Sequence, residues 1–584
     1  VVFLEGFTGR LFREFGVVVA GAVLISAFVS LTITPVLNVV LHRGGEAGGS
    51  DHGWLYRKTE PFFERMETGY GRWVGGFLRL RWLAWVVVAV CGGLIWLIGR
   101  SIPSELAPLE DRSSLRFSLT APQGSSYAFT ARVAEDLSDY LLDSIPEVDF
   151  AFNLVPGFGG GQGLNSGFVR LGLPPPDERT RSQADIAAAI TRRLPGIIPD
   201  ARAFVVQEQT ISVGLGSRGG LPVQFVLQNL DLEKIRLALP KFLAAARQDA
   251  TFASVDANLK FDTPELRLTF DRLRIRDLGL TTEQVAQTVQ AAFGGRRMAY
   301  FLRGGRQYQV IGQVGRDARS TPADLARLYV RNVRGESIPL AAVVRAEESA
   351  SPATLYHFNR LKSATVSAQL AEGRTIGDGV RAMEAIAEQT LDPTFQTALA
   401  GPSRDFAESS SNTAYAFALA LVLIYLLLAA QFESFRDPFI ILLTVPLALA
   451  GALLSLWVFG HTLNIFSQIG MIMLIGLVTK NGILIVDVAN HLRAQGLGLA
   501  EAVRQAAQQR LRPILMTSLA TALGALPIAL SLGAAATSRI PLGIVIVGGI
   551  LFALILTLFV IPAMYTYLAG EHKKEEVAHE AKPA

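Results

Sequence analysis

The chain has 584 residues, half of them hydrophobic, a net charge of +4 at pH 7 and a single cysteine. This composition excludes a small soluble domain and a disulfide-stapled secreted scaffold, and it points to a membrane protein. The basic surplus is not a nucleic-acid footprint, because Lys and Arg follow the loops between apolar segments instead of gathering in one patch.

Seven apolar segments are long enough to cross a hydrocarbon core of about 30 Å. They are residues 16–41, 82–99, 414–430, 438–459, 465–490, 514–532 and 540–568. No cleavable signal peptide is evident, and the chain opens in a hydrophobic run at Val1, which reads as a fragment cut from a preceding helix. Ahead of the first segment, Phe7, Leu11, Phe12 and Phe15 share one helical face, so residues 1–15 are expected to form an interfacial helix. The loop 42–81 holds Arg43, Arg57, Lys58, Arg65, Arg72, Arg79 and Arg81. Within it Met66, Tyr70, Trp73 and Val74 recur at helical spacing, which suits either the membrane interface or packing on neighbouring helices. The positive-inside rule puts this loop, the Arg493–Arg512 loop and the tail 569–584 in the cytoplasm. The long insert, residues 100–412, then lies on the opposite side. Cys91 falls in the second segment, so the insert has no disulfide although it faces an oxidising space.

The insert reads as mixed α/β. Strands at 115–119, 148–153, 168–173 and 203–207 alternate with helices at 127–142 and 183–194 in the order β-α-β-β-α-β, the split unit of ferredoxin-like folds. A second set runs through strand 223–227, helix 232–246 and strands 254–259 and 266–270. Strand 364–368, helix 377–387 and strand 395–400 return to complete it. Between them, residues 272–345 make an excursion whose strands 298–302 and 307–314 are turned by Arg303, Gly304, Gly305 and Arg306. Such a protrusion is expected to serve assembly or docking. The layout is therefore an α/β region at 100–271 and 346–412, a docking portion at 272–345, and five helices across 413–568.

No phosphate-binding G-x-x-x-x-G-K-[ST] loop is present, and the glycine runs 159–161 and 214–220 lack its strand, helix and Lys context. The seven histidines have no metal-site spacing, and no Ser or Cys sits in a nucleophile motif. An enzyme is not indicated. What stands out is Lys480, near the middle of the apolar segment 465–490. An ionisable group at that depth costs about 2.5 to 3.5 kcal/mol even on lenient scales, so it marks an ion or substrate pathway and needs a partner. Asp487, in the same segment, is about 10 Å further along the helix, too far for contact. The other apolar segments contain no Asp or Glu. The counter-charge is expected on helices outside this sequence, in a larger proton- or ion-coupled membrane machine.

The segments GLVTKNGILIVDVAN (476–490) and RLRPILMTSLATALGALPIALS (510–531) closely resemble the C-terminal half of resistance-nodulation-division (RND) transporters, the acriflavine-resistance-like exporters of amphiphilic compounds. The resemblance extends from FTGRLFREF (7–15) through AAQFESF (429–435) to the last helix. It implies a twelve-helix membrane bundle with a periplasmic α/β porter, in the bacterial inner membrane, with protons as coupling ion and no other cofactor. It implies a homotrimer, a periplasmic adaptor, an outer-membrane channel and small amphiphilic substrates. By the same resemblance Lys480, Asn481, Arg510 and Thr517 form a proton relay. Paired aspartates on the absent half would release Lys480 toward Asn481 or Thr517 on protonation. Asn481 and Thr517 equally suit plain interhelical hydrogen bonds. A drug-gating loop falls at 156–167, so Phe158, Gly159, Gly160, Asn165 and Arg170 become the substrate-pocket candidates. The sequence departs from the family in two places: Gly160 stands near a usual aromatic, and Arg170 where a Phe is expected. Heavy-metal export would need methionine pairs, and Met298 and Met383 are scattered. A non-transporting scaffold or protein-export accessory would have no need for Lys480.

Overall fold

The computed structural model describes residues 6–42, 54–157, 163–207, 221–531 and 537–569. Helix α1 (Gly6–His42) is one continuous helix. The separate interfacial helix expected at residues 1–15 is corrected here: from Gly6 on, that stretch is the first turns of α1, because no breaker lies between Phe15 and the apolar run. Val17, Leu24 and Leu31 on α1 are exposed. In helix α2 (Trp54–Arg79) one face of the amphipathic pattern packs on neighbouring helices. Tyr70 and Val74 are buried and the Tyr70 hydroxyl donates to the Leu558 carbonyl, while Trp73 stays exposed. Helix α3 (Leu83–Ser101) follows.

The first α/β unit comprises β1 (Ser114–Thr120), α4 (Tyr127–Ser144), β2 (Phe150–Leu154), β3 (Ser166–Gly172), α5 (Gln183–Ile197) and β4 (Arg202–Val206). Its antiparallel sheet has the order β2-β3-β1-β4, as the split unit requires. Alternation drives it: Leu115, Phe117 and Leu119 point into a core shared with Leu137 and Leu141 of α4 and Ile186 of α5. Ser126 caps α4, and Ser182 with Asp185 forms a capping box on α5.

The second unit begins with β5 (Val223–Asn229), α6 (Leu232–Gln248) and β6 (Phe252–Ala257). The excursion follows as β7 (Thr263–Phe270), α7 (Arg272–Asp277), α8 (Thr282–Val289), β8 (Arg296–Arg303), β9 (Arg306–Gly312), β10 (Tyr329–Arg331), β11 (Ser337–Pro339) and β12 (Val344–Ser351). The chain then returns through β13 (Tyr356–Phe358), β14 (Leu361–Leu370), α9 (Ile376–Thr390) and β15 (Gln396–Leu399). Strands β15, β5, β14 and β6 lie side by side in that order, the same arrangement as the first unit, and β13 folds back on β14. The strand expected at 266–270 does not join this sheet. It pairs with β12 along its whole length, Thr263 opposite Ser351 through Phe270 opposite Val344. The reason is its apolar face: Leu266, Leu268 and Phe270 pack onto the excursion's own core of Ile275, Val285 and Val344.

The remaining helices are α10 (Gly401–Phe432), α11 (Arg436–Leu442), α12 (Thr444–Val458), α13 (Ile465–Ala494), α14 (Leu499–Ala529) and α15 (Ile540–Leu568). The segment expected as one helix at 438–459 is divided at Leu443. Pro446 cannot donate to the Leu442 carbonyl four residues back, which weakens the ladder there. Among the described residues, seven helical segments are long and apolar enough to cross a membrane. At their centre α15 packs closely through glycine: a Cβ at Gly548 would lie 1.8 Å from Ser455 Oγ, and one at Gly549 2.3 Å from Leu474 Cδ2.

Candidate functional site

Lys480 projects from the middle of α13 to α14, where its Nζ donates to the Thr517 carbonyl at 3.3 Å and to Thr521 Oγ1 at 3.1 Å. The Thr517 hydroxyl itself turns back to donate to the Ile514 carbonyl at 3.3 Å, so Thr517 offers Lys480 its backbone oxygen only. Thr521 in turn donates to that same oxygen at 2.7 Å. The next residue, Asn481, is buried and accepts from Ser518 Oγ at 3.4 Å. Two consecutive residues of α13 thus address two consecutive residues of α14. Thr521 and Ser518 were not among the sequence candidates. The signal for Thr521 was its i+4 spacing from Thr517, which puts both on one face.

Arg510 does not join this group. It lies seven residues before Thr517, about 10 Å along α14, and its buried Nε has no hydrogen-bond partner among the described residues. Asp487 is exposed. The expectation that only the Lys480 segment carries an acid needs correction, because the helical segment Arg436–Val458 starts early enough to include Asp437. That carboxylate is buried at the helix end and accepts from Asn490 Nδ2 at 3.0 Å. Asn490 Oδ1 accepts from the Tyr565 hydroxyl, to which Arg493 donates at 3.2 Å. Asn490 is ten residues past Lys480, about 15 Å along α13, so this cluster does not neutralise the lysine. Among the described residues, no carboxylate forms an ion pair with Lys480.

Of the loop candidates, Phe158, Gly159 and Gly160 lie outside the described residues, as do the glycine run 214–220 and the basic tail. The base of that loop is anchored: Gly157 N donates to the Ser166 carbonyl at 3.0 Å, and Asn165 Nδ2 donates to the Ala121 carbonyl at 3.1 Å. Asn165 is thereby committed to holding the loop on β1. Arg170 is exposed on the sheet face turned away from the core, its Nε donating to Ser114 Oγ at 3.0 Å. Phe152 stands opposite it across the strands, and Phe152 and Phe168 bring their rings to 6.2 Å. This aromatic face was legible from the period-two alternation of β2 and β3. Between the two α/β units is a cleft of about 700 Å³, lined among others by Pro122, Arg202, Leu243, Asp256 and Phe261, with Arg202 and Asp256 paired at 3.1 Å. No local sequence pattern announces it, because its walls come from two units.

The hairpin β8–β9 closes with Arg303 opposite Arg306 around Gly304 (φ +59°) and Gly305 (φ +75°), the paired positive φ values that a tight hairpin turn needs. Every residue of β8 is exposed, and Phe301 stacks on Tyr308 at 5.3 Å. Among the described residues, no group of His, Cys, Asp and Glu is arranged to hold a metal ion.

A family model described as the AcrB/AcrD/AcrF family matches residues 1–569. An uncharacterized transporter of Haemophilus influenzae is 32% identical over 99% of this chain and 56% of its own length. Multidrug resistance protein MdtC of Yersinia enterocolitica is 32% identical over 97% of the chain and 55% of its own length, and MdtC of Yersinia pseudotuberculosis matches to the same extent. The chain spans about half the length of these curated relatives. The match over nearly all of its length, together with its long apolar helices, shows that this multi-pass membrane chain belongs to the AcrB/AcrD/AcrF family of RND transporters.

Proposed function

We propose that this chain is part of a pump that exports hydrophobic or amphiphilic compounds across the bacterial inner membrane in exchange for protons. The observation that carries this reading is Lys480, a mid-helix cation that makes hydrogen bonds to α14 and, among the described residues, no ion pair. Its counter-charge belongs to helices beyond this chain, in keeping with relatives about twice as long. With those acids ionised, Lys480 is drawn to them. With the acids protonated, it rests on Thr517 and Thr521, drawing α13 and α14 together. A charge that changes partner with protonation biases two arrangements of the helices, which is what antiport requires.

In this reading the two α/β units face the periplasm as the porter, and the Phe152–Phe168 face, Arg170 and the loop above them handle substrate. The exposed hairpin Arg303–Arg306 serves assembly into a trimer or docking to an adaptor and channel. The name of the MdtC relatives favours drugs as cargo. Metal export is not favoured: Met298 is exposed on the hairpin and Met383 is buried in the second core, so the two make no pair.

The test is Lys480→Met in the full-length pump. Export of a fluorescent amphiphile from cells, compared at equal membrane levels, is expected to fall to the background of cells lacking the pump. Efflux at the unsubstituted rate would overturn the proton-coupled reading.

A further inference from the structure

Between α3 and β1 the chain crosses the end of the helical bundle in an extended stretch, residues 103–106, that is bonded on both sides. On one side it pairs with the turn that leads into α13. Leu463 N donates to the Pro103 carbonyl at 2.9 Å, Glu105 N to the Leu463 carbonyl at 3.0 Å, and Ile465 N to the Leu106 carbonyl at 3.1 Å. On the other side Gly377 N, in the first turn of α9, donates to the Ser104 carbonyl at 3.4 Å. The approach there leaves no room for a side chain: a Cβ on Gly377 would lie 2.8 Å from Ser104 Oγ and 3.1 Å from the Ser104 carbonyl.

The side chains add a second connection. The Glu105 carboxylate accepts from the Thr462 hydroxyl, and Asn464 Nδ2 donates to Thr462 Oγ1 at 3.1 Å. Asn464 Oδ1 then caps α13, accepting from Phe466 N at 3.0 Å and Ser467 N at 3.1 Å. A continuous hydrogen-bonded path therefore runs from Glu105 to the first turn of the helix whose middle carries Lys480, sixteen residues or about 24 Å away. Ile102 and Ala107, which flank the stretch, are buried in one cluster with Ile465 and Ile469 of α13. Helices move largely as rigid bodies, so a shift of α13 at Lys480 also shifts its capped end.

We propose that residues 103–106 are a transmission joint that carries displacement of α13 into the second α/β unit at the start of α9, with Glu105 as the positioning residue that holds the joint to the α13 cap. The proposal rests on the proton-coupled reading above. If the joint transmits motion, weakening it uncouples the steps that follow substrate binding and leaves binding itself alone.

The test uses the full-length pump reconstituted in liposomes with an imposed pH gradient, measuring KM and the maximal rate for an amphiphilic dye. Glu105→Ala and Thr462→Val are each expected to lower the maximal rate about fivefold, the scale of one lost hydrogen bond, with KM unchanged. Because both cut the same link, the double variant is expected to be no slower than either single one. Glu105→Gln, whose amide carbonyl still accepts from Thr462, is expected to restore most of the rate. A wild-type maximal rate in Glu105→Ala overturns the proposal. So does a loss in Glu105→Ala that tracks a fall in folded protein and is not rescued by Glu105→Gln, since that is a purely structural role. The underlying reading fails separately: if it is wrong, Lys480→Met transports normally, whereas if only the joint is wrong, Lys480→Met is inactive and the Glu105 variants are not.

Discussion

At the scale of single residues, the chemistry concentrates in one ammonium group and its choice of acceptors. A lysine among apolar helices is tolerated only where its protons find oxygen, and the Thr517 carbonyl and Thr521 hydroxyl supply it. In the proposed proton exchange, Thr521 helps define the arrangement in which Lys480 is released from acids elsewhere. Thr521→Val removes one acceptor from a charged donor, worth about 1.5 to 3 kcal/mol, and so disfavours the protonated arrangement. The pH at which transport is half-maximal is expected to move down by about one to two units. Dye transport in vesicles across a pH series checks this, and an unmoved midpoint would contradict the assignment. Outside the helical spans, burial raises the Glu105 carboxyl above its ordinary value, while the Thr462 hydrogen bond opposes the rise. The folded joint holds that proton more tightly than an unfolded chain does. Its stability thus falls as pH rises from the ordinary glutamate value through the raised one.

Among whole elements, packing in the helical bundle depends on where glycine lets backbones meet. In lipid there is little hydrophobic drive between helices, so close van der Waals approach has to supply it. Helix α15 does this against α12 and α13 through Gly548 and Gly549. Gly548→Leu forces a side chain into the space of Ser455 and is expected to cost about 1 to 3 kcal/mol or more by overpacking. Thermal unfolding in detergent should show a melting temperature several degrees lower for that variant, and no shift would mean that α12 and α15 part easily. Element identity was mostly legible: period-two alternation in β1 and β3 and helical spacing in α4 and α5 gave the first unit to within three residues at each boundary. The miss at β7 has a physical cause. Alternating Leu266, Leu268 and Phe270 announce a strand, but the same pattern serves any apolar surface, and the excursion's core outcompeted the second sheet for it. The division between α11 and α12 was likewise hidden inside a uniformly apolar run, where Pro446 was its only mark.

For the molecule as a whole, many apolar side chains face outward. Val17, Leu24 and Leu31 of α1, Leu427 of α10 and Ile555 of α15 are all more than half exposed in the isolated chain. Surface of that kind is stable only against lipid or further helices. Expressed by itself, the chain is expected to stay in the membrane fraction through alkaline carbonate extraction and to leave it only with detergent. Appearance in the carbonate supernatant would contradict a multi-pass chain. The β8–β9 hairpin is exposed along all of β8 and along β9 up to Ile311.

By itself the sequence determined the apolar segments, the two α/β units, the glycine turn of the hairpin and the absence, among the described residues, of a carboxylate beside Lys480, because each rests on local spacing or on the cost of a charge in lipid. Only the tertiary structure decided which oxygens receive Lys480, that Arg510 stands apart from it, that Asn165 anchors a loop, and that residues 103–106 join α13 to α9. Those facts depend on which helix face meets which neighbour, and on strand partners far apart along the chain, and no periodicity within a segment carries that information.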